Sequence, residues 1–339
     1  MIDTLETLCC LDGVSGSEDE VRDYILERCM PFADEIITDN MGNLLILKKG
    51  KSSAMQTIML AAHMDEVGLI ITDITEDGFL KFDYVGGIDR RVLMARHVYI
   101  GAQKVPGVIG SKPFHLMKSE ERDKMPERNE LYIDVGAGSK DDVTKLISLG
   151  DYVTFADSIV HFGDGFLKAK AIDDRVGCAT MIKLLESELP CDCWFAFTVQ
   201  EELGCRGAMV AARRLCPEVA IVLEGTTSAD KPGASAEKAV CSPGKGIVIP
   251  FMDGGTMYDR ELYKTLTEIA DKNHIPWQTK HRIAGGTDAS VIQRNAGGTR
   301  VAAISVAVRN LHSPACICKI EECELQRKLA LAFLENFAC

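Results

Sequence analysis

The 339-residue sequence has no apolar run long enough to cross a membrane, and its opening residues, Met1-Ile-Asp-Thr-Leu-Glu, show no basic stretch followed by an apolar one. We therefore expect a soluble, cytoplasmic protein with no membrane partner. Basic charge is also short. Lys plus Arg number 38 against 50 Asp plus Glu, so 38 − 50 gives −12, which argues against a nucleic-acid partner. Aromatic residues make up only 6%, with two Trp, fewer than a sugar-stacking cleft needs. The thirteen cysteines contain no CxxC pair: Cys191/Cys193 and Cys316/Cys318 are spaced CxC. Others, such as Cys178, sit in apolar patterns, so reduced core thiols are expected rather than a disulfide framework or a Cys-zinc site. There is no internal repeat and no low-complexity tract.

What the sequence does have is a set of short apolar runs that stop at ionisable residues. Trp194–Val199 reads as a buried strand ending at Glu201-Glu202, with Gly204 and Gly207 permitting a turn into a helix over Ala208–Leu215. Thr57–Ala62 delivers His63-Met64-Asp65-Glu66, Val219–Leu223 delivers Glu224, and Thr299–Val308 delivers Arg309-Asn310-Leu311-His312. Asp173-Asp174 stands just before an apolar helix over Val176–Leu189. The strand–helix–strand run from Trp194 to Leu223 is expected to set two parallel strands side by side.

The remaining elements follow the same α/β pattern. Ser17 reads as an N-cap, boxed with Glu20, for a helix that buries Val21, Tyr24, Ile25 and Cys29 and ends at Pro31. A hairpin joins Glu35–Asp39 to Asn43–Lys48. Later come a loop over Lys231–Gly246, a strand at Ile247–Phe251, a helix at Arg260–Asn273 and an exposed strand at Trp277–Arg282. Asp288, after Gly285-Gly286-Thr287, reads as the cap of a helix at Ala289–Arg294, and an amphipathic helix over Glu322–Ala338 closes the chain. Residues 67–160 break this pattern. Six short β-type runs (Gly68–Thr72, Phe79–Tyr84, His97–Gly101, Gly107–Gly110, Glu130–Val135 and Asp151–Phe155) alternate with Gly-rich turns around a charged segment, Lys118–Asn129. The expected organisation is an α/β domain of residues 1–66 and 161–339, interrupted by an all-β insertion of 67–160 that serves subunit contact or access.

Each ionisable end has a bland reading: an exposed Glu pair, a hydrogen-bonded structural His, a helix-capping Asp. Their accumulation at one sheet edge is harder to dismiss, because open α/β sheets bind ligands beyond the carboxyl ends of their strands. Close carboxylates repel unless cations neutralise them. Imidazole with carboxylate suits zinc, cobalt or manganese, and a shared Asp suits a pair of ions. The residue types thus point to a dinuclear hydrolase.

The motifs His63-x-Asp65-Glu-Val-Gly, Asp173-Asp174-Arg175-x-Gly177, Glu201-Glu202-Leu-Gly-x-Arg-Gly207, Glu224 and His312-Ser-Pro occur in this order. Together they resemble the tetrahedral (TET) dinuclear metallo-aminopeptidases of the glutamyl-aminopeptidase or "cellulase M" type, essentially from end to end. The resemblance implies a zinc-peptidase-like mixed sheet flanked by helices, and two divalent ions per subunit, zinc first. It implies that Asp173, joined to Asp174 by a cis peptide, bridges the metals, with His63 and Glu224 on one and Glu202 and His312 on the other. Asp65 would orient His63, Glu201 would be the general base toward a metal-bridging water, and Asp288 would belong to the substrate side. It also implies removal of N-terminal residues from short peptides, by a dodecamer built from dimers.

Two positions depart from the pattern: Glu224 stands where many relatives have Asp, and Ala315-Cys316 follows His312-Ser-Pro in place of Val-Glu. Two other enzymes could use parts of this set. A dinuclear carboxypeptidase or deacylase would need Arg282 or Arg309 for a substrate carboxylate. A glycoside hydrolase would need two carboxylates but no His ligands. The preferred N-terminal residue is not fixed by these motifs.

Overall fold

The structure, a computed structural model, describes residues 1–156, 158–233 and 239–337, apart from the side chain of Glu121. Residues 234–238 of the loop expected over Lys231–Gly246, and Ala338 of the last expected helix, lie outside them. Strands β1 (Glu35–Thr38), β2 (Leu44–Lys48) and β3 (Ile58–His63) come first. Next are β4 (Gly68–Ile74), β5 (Leu80–Val85), β6 (His97–Ile100), β7 (Val105–Gly110), β8 (Tyr132–Asp134) and β9 (Tyr152–Phe155). The rest are β10 (Val160–Phe162), β11 (Phe166–Ala169), β12 (Cys193–Thr198), β13 (Val219–Thr227), β14 (Ile247–Val248), β15 (Trp277–Gln278), β16 (Arg300–Val308) and β17 (Cys316–Lys319).

Eight strands form one mixed sheet in the order β1-β2-β12-β3-β13-β16-β14-β15. β12, β3, β13 and β16 run parallel at its centre, and β2 and β14 pair antiparallel to them on either side. The two strands expected side by side, β12 and β13, instead flank β3. The crossover between them is longer by one strand than the sequence order suggests, and the His63 strand takes the middle place.

Period-two alternation puts β3 between two cores. Ile58, Leu60 and Ala62 face a large cluster with Leu5, Ile25, Ile182, Leu266 and Phe333, which come from the helices Ile2–Cys10, Asp19–Cys29, Ile172–Leu185, Arg260–Lys272 and Ile320–Leu334. Met59 and Ala61 face a second cluster of mostly small residues, among them Ala208, Ala211, Ala212 and Ile292 of the helices Arg206–Leu215 and Ala289–Ile292. The fold is therefore a mixed α/β sheet covered by helices on both faces.

The six β-type runs of the insertion close into a barrel, β4-β5-β8-β7-β6-β9, around their own cluster of Leu69, Phe82, Val98, Ile109, Ile133 and Val153. Closure removes the free strand edges that six short strands would otherwise expose. β10, β11 and β17 make a small separate sheet.

Some local expectations give way to tertiary contacts. The Ser17 capping box does not form. Glu18 is the N-cap of the helix Asp19–Cys29 without a capping bond of its own, and its Oε1 accepts from the amides of Gly16 (2.7 Å) and Gln200 (3.1 Å). That bond ties the helix start to the loop carrying Glu201. Asp288 stands at the N-cap of Ala289–Ile292 but makes no capping bond, because its Oδ2 accepts from Thr198 Oγ1 at 2.6 Å. Strand β13 does not stop before Glu224 but runs on to Thr227, and the strand expected over Trp277–Arg282 is only two residues long.

Candidate active site

The parallel strands deliver the ionisable residues to one edge. His63 is the last residue of β3 and pairs in register with Thr198 of β12, so the β12 chain turns over it into Gln200, Glu201 and Glu202. On the other side of β3, Val222 of β13 pairs with Ala61, which places Glu224 two residues further along, level with His63. β16 runs on into the loop holding His312. Asp173 and Asp174 enter through the start of the helix segment Ile172–Leu185, where both leave helical backbone geometry and are joined by a cis peptide. Two glycines make room for them. A Cβ on Gly225 would lie 3.1 Å from Asp173 Cα, and one on Gly177 would lie 2.6 Å from Asp174 Oδ2.

Asp173 stands between the two imidazoles. Its Oδ1 is 3.4 Å from His63 Nε2 and its Oδ2 is 3.6 Å from His312 Nε2. Each imidazole nitrogen meets a second, different carboxylate: Glu224 Oε1 lies 3.4 Å from His63, and Glu202 Oε1 lies 3.2 Å from His312. The far nitrogens are held by carbonyls, His63 Nδ1 by Asp65 O (3.1 Å) and His312 Nδ1 by Gly87 O (2.9 Å). Such bonds fix which ring nitrogen is free to act as a ligand. Gly87 follows β5, so the barrel supports one of the two rings.

Asp65 is fully buried, and its carboxylate organises more than His63. It accepts from Ser15 Oγ (2.5 Å) and from the amides of Glu201 (3.0 Å) and Glu202 (3.1 Å), while its nearest approach to His63 Nδ1 is 3.5 Å. A second anchor lies behind Asp173-Asp174. Lys170 and Arg175, which bracket the pair, both reach the buried Glu66, Lys170 at 2.6 Å and Arg175 at 3.5 Å. The segment is thereby tied to the chain that leaves His63.

The electrostatics are those of a site short of positive charge. Burial, reinforced by the neighbouring acids, pushes Glu201 up to about 8 and Glu202 up to about 7 and holds Glu224 well above the usual carboxylate range. Burial would lower the two histidines. Asp173 and the other carboxylates nonetheless keep His63 well above its ordinary value and hold His312 up to about 9. Asp173 Oδ1 is buried with no hydrogen-bond partner among the described residues. Crowded acids facing imidazoles, with an orphaned oxygen between them, fit divalent cations as the missing partners.

A profile of the M42 glutamyl aminopeptidase family matches residues 42–329. This chain belongs to the M42 family. Among similar proteins, the lysyl aminopeptidase of Pyrococcus furiosus is 32% identical over 332 residues, 96% of this chain and 94% of its own. The aminopeptidase APDkam598 of Desulfurococcus kamchatkensis is 36% identical, with a TM-score of 0.93 over 98% of this chain and 94% of that one. The Pyrococcus horikoshii TET1 peptidase, which can assemble into a tetrahedron or a large octahedral shell, is 33% identical, with a TM-score of 0.86 over 98% of both chains. The M42 chain is thus a metal-dependent aminopeptidase, a hydrolase acting on peptide bonds, and the carboxypeptidase, deacylase and glycosidase readings are not supported.

The M42 site opens into a cleft of about 320 Å³ lined by His63, Asp173, Glu201, Glu202, Glu224 and His312, with Cys205, Lys280, Thr287 and Ser290 on its walls. Asp288 is 1% exposed and stands behind this lining, represented at the surface by Thr287 and Ser290. Neither arginine considered for a substrate carboxylate lines the cleft. Arg282 is exposed, and Arg309 is held by Asp230 in a two-pronged bond of 2.9 and 2.7 Å. The cation that does line it, Lys280, went unremarked in the sequence because it sits in a stretch that reads as exposed. It is 4% exposed, and among the described residues its Nζ bonds only the carbonyl of Ala284, at 3.2 Å. Of the two departures, Glu224 reaches His63 in spite of its extra methylene. Cys316 is buried, and its thiol donates to the carbonyls of Asn310 (3.5 Å) and Ser313 (3.3 Å), bracing the loop that presents His312.

Proposed function

We propose that this M42 enzyme removes acidic N-terminal residues from short peptides, using Glu201 as general base beside two divalent cations. The observation that carries the reading is the sharing of Asp173 between two imidazole–carboxylate pairs, His63 with Glu224 and His312 with Glu202. In this reading Asp173, with His63 and Glu224 on one side and His312 and Glu202 on the other, would hold the two cations. Zinc suits the mixed nitrogen and oxygen donors best, with cobalt and manganese as alternatives. When bound, the cations supply Lewis-acid polarisation of the scissile carbonyl and charge stabilisation as it becomes tetrahedral.

The chain's own groups do the rest. Asp65 fixes the backbone of Glu201, so the Glu201 carboxylate is held at the cleft wall. There it takes a proton from the attacking water and returns it to the leaving amine. Asp288, through its bond to Thr198 and the wall residues beside it, shapes the substrate side. Lys280 supports the preference for acidic residues, because a buried ammonium with one carbonyl partner is an incomplete ion pair that a substrate carboxylate would complete.

We further read residues 67–160 as an inserted domain for dimer contact and access, within a core domain of 1–66 and 161–339. Exposed apolar side chains on the insertion, Phe114 (66%) and Leu116 (60%), support self-association there, toward a dodecamer built from dimers. Among the described residues no helix is long and apolar enough to cross a membrane, and Cys9, Cys29, Cys178, Cys193, Cys205 and Cys241 are free thiols. Free thiols suit a reducing compartment, and we place the enzyme in the cytoplasm. The test of the central claim is Glu201→Gln. Metal content should stay near normal while turnover of glutamyl-anilide falls at least about a hundredfold; near-normal turnover would remove Glu201 from its role.

A further inference from the structure

The five proposed metal-binding residues do not exhaust the ligand-bearing groups around the cleft. Cys205 occupies the variable position of Glu201-Glu202-Leu-Gly-x-Arg-Gly207 and stands at the start of the helix Arg206–Leu215, where its left-handed backbone (φ +56°) turns it toward Glu201. Its Sγ lies 3.5 Å from Glu201 Oε1 and 3.5 Å from the carbonyl of Thr287, with Ser290 Oγ at 3.7 Å. Asp288 is the third member. One ligand atom from each of Glu201, Cys205 and Asp288 lies within 4.8 Å of the others. Asp288 also supplies an independent sign of a missing partner: it is 1% exposed, Oδ2 is satisfied by Thr198, and Oδ1 has no partner among the described residues.

We propose that Glu201, Cys205 and Asp288 form an inhibitory site for a soft divalent cation, separate from the five residues that hold the catalytic ions. Two carboxylates and one thiolate, with a water as fourth ligand, match the tetrahedral preference and donor softness of zinc or cadmium and suit magnesium or manganese poorly. Cys205 and Glu201 both line the cleft, so the ion enters from solvent. On binding, the thiol releases its proton to solvent and the thiolate and the two carboxylates coordinate the ion. Glu201 is then occupied as a ligand and cannot take a proton from water, so peptide hydrolysis stops until the ion leaves. The enzyme would lose activity in excess zinc while its catalytic ions stay in place. This consequence rests on Glu201 as the base; the site itself does not.

Cadmium, added to the metal-loaded enzyme, is the probe, because cadmium bound to thiolate has an ultraviolet charge-transfer band that carboxylates lack. Cys205→Ala is the variant, since Cys205 has no part in the proposed hydrolysis. The wild type should bind one more cadmium per subunit than the variant and show the matching increment in the band, and Asp288→Asn should weaken that increment by at least about tenfold in affinity. Inhibition by excess zinc should need at least about ten times more metal in Cys205→Ala. Equal cadmium stoichiometry and equal band intensity in wild type and variant would overturn the site. A Cys205-dependent band with zinc inhibition unchanged by the substitution would overturn the inhibitory role. If the Glu201 assignment is what fails, the band difference survives while Glu201→Gln retains activity, so the two failures are distinguishable.

Discussion

Replacing Lys280 by Met keeps the length of the side chain and removes its charge, which isolates the electrostatic part of substrate choice. Two unit charges 4 Å apart interact by about 4 kcal/mol at an effective dielectric of about 20. Lys280 is 4% exposed, so folding has already stripped it of water, and burial pulls its ammonium below the usual lysine range while Asp253 works the other way. An entering glutamate side chain still has to shed its own hydration. That leaves about 2–3 kcal/mol, the range of a hydrogen bond between charged groups. At about 1.36 kcal/mol per tenfold, the contribution is about 30- to 150-fold in kcat/KM. The assay is a set of anilides of Glu, Leu and Lys. Lys280→Met should lose about 30- to 150-fold on the Glu substrate and change less than about threefold on Leu, and Lys280→Glu should turn the preference toward Lys. Wild-type enzyme that cleaved Lys-anilide as fast as Glu-anilide would refute the reasoning, as would equal losses on Glu and Leu.

Other consequences follow from the buried charges. Glu66→Gln would strand Lys170 and Arg175 without their shared carboxylate, and breaking a buried ion network of this kind should cost about 3–5 kcal/mol in urea unfolding. A loss below about 1 kcal/mol would show that the network is not holding the Asp173 segment. Chelation should make stability pH-dependent. Glu201, Glu202 and His312 have folded pKa values above their unfolded ones, about 8, about 7 and about 9, so the folded chain holds these protons more tightly. Their stabilising effect is present at low pH and is lost as pH rises through those values. Metal-free enzyme should therefore melt lower at pH 9 than at pH 6, and zinc should flatten the difference. Asp65 and Asp173 are shifted downward, so their contribution is lost only toward acid pH and does not act in this window. Chelated enzyme that melts as high at pH 9 as at pH 6 would contradict this account.

The main strands and their ionisable ends were legible because apolar runs and the charges that stop them are local signals: His63, Glu201, Glu202 and His312 all follow such runs. The six barrel runs were equally visible, but their closure was not. Pairings such as Leu69 with Val153 depend on register across more than eighty residues, and nothing local encodes them. Glu224 lies inside β13 rather than at its tip because the strand continues past the acid beside Ser305. The local caps at Ser17 and Asp288 failed for a shared reason: a distant partner, Lys104 for Glu20 in one case and Thr198 for Asp288 in the other, claims the carboxylate. Lys280 and Cys205 were missed because a charge in an exposed-looking strand and a thiol at a variable motif position look ordinary until folding buries the first and half-buries the second at the cleft. The signals available were their places beside the Gly-Gly-Thr-Asp and Glu-Glu-Leu-Gly motifs.

The bond from His312 to the carbonyl of Gly87 spans 225 positions of chain. With His312 as a metal ligand, as proposed above, the core would not own its coordination chemistry outright. An excised core lacking residues 67–160 would retain His312 but lose the brace that aims it, and its grip on the second ion should slacken even if the sheet still folded. Conversely, with the barrel as the subunit contact proposed above, whatever docks against it would tug on that ring, and quaternary state and the enzyme's appetite for metal would become two readings of a single mechanical linkage.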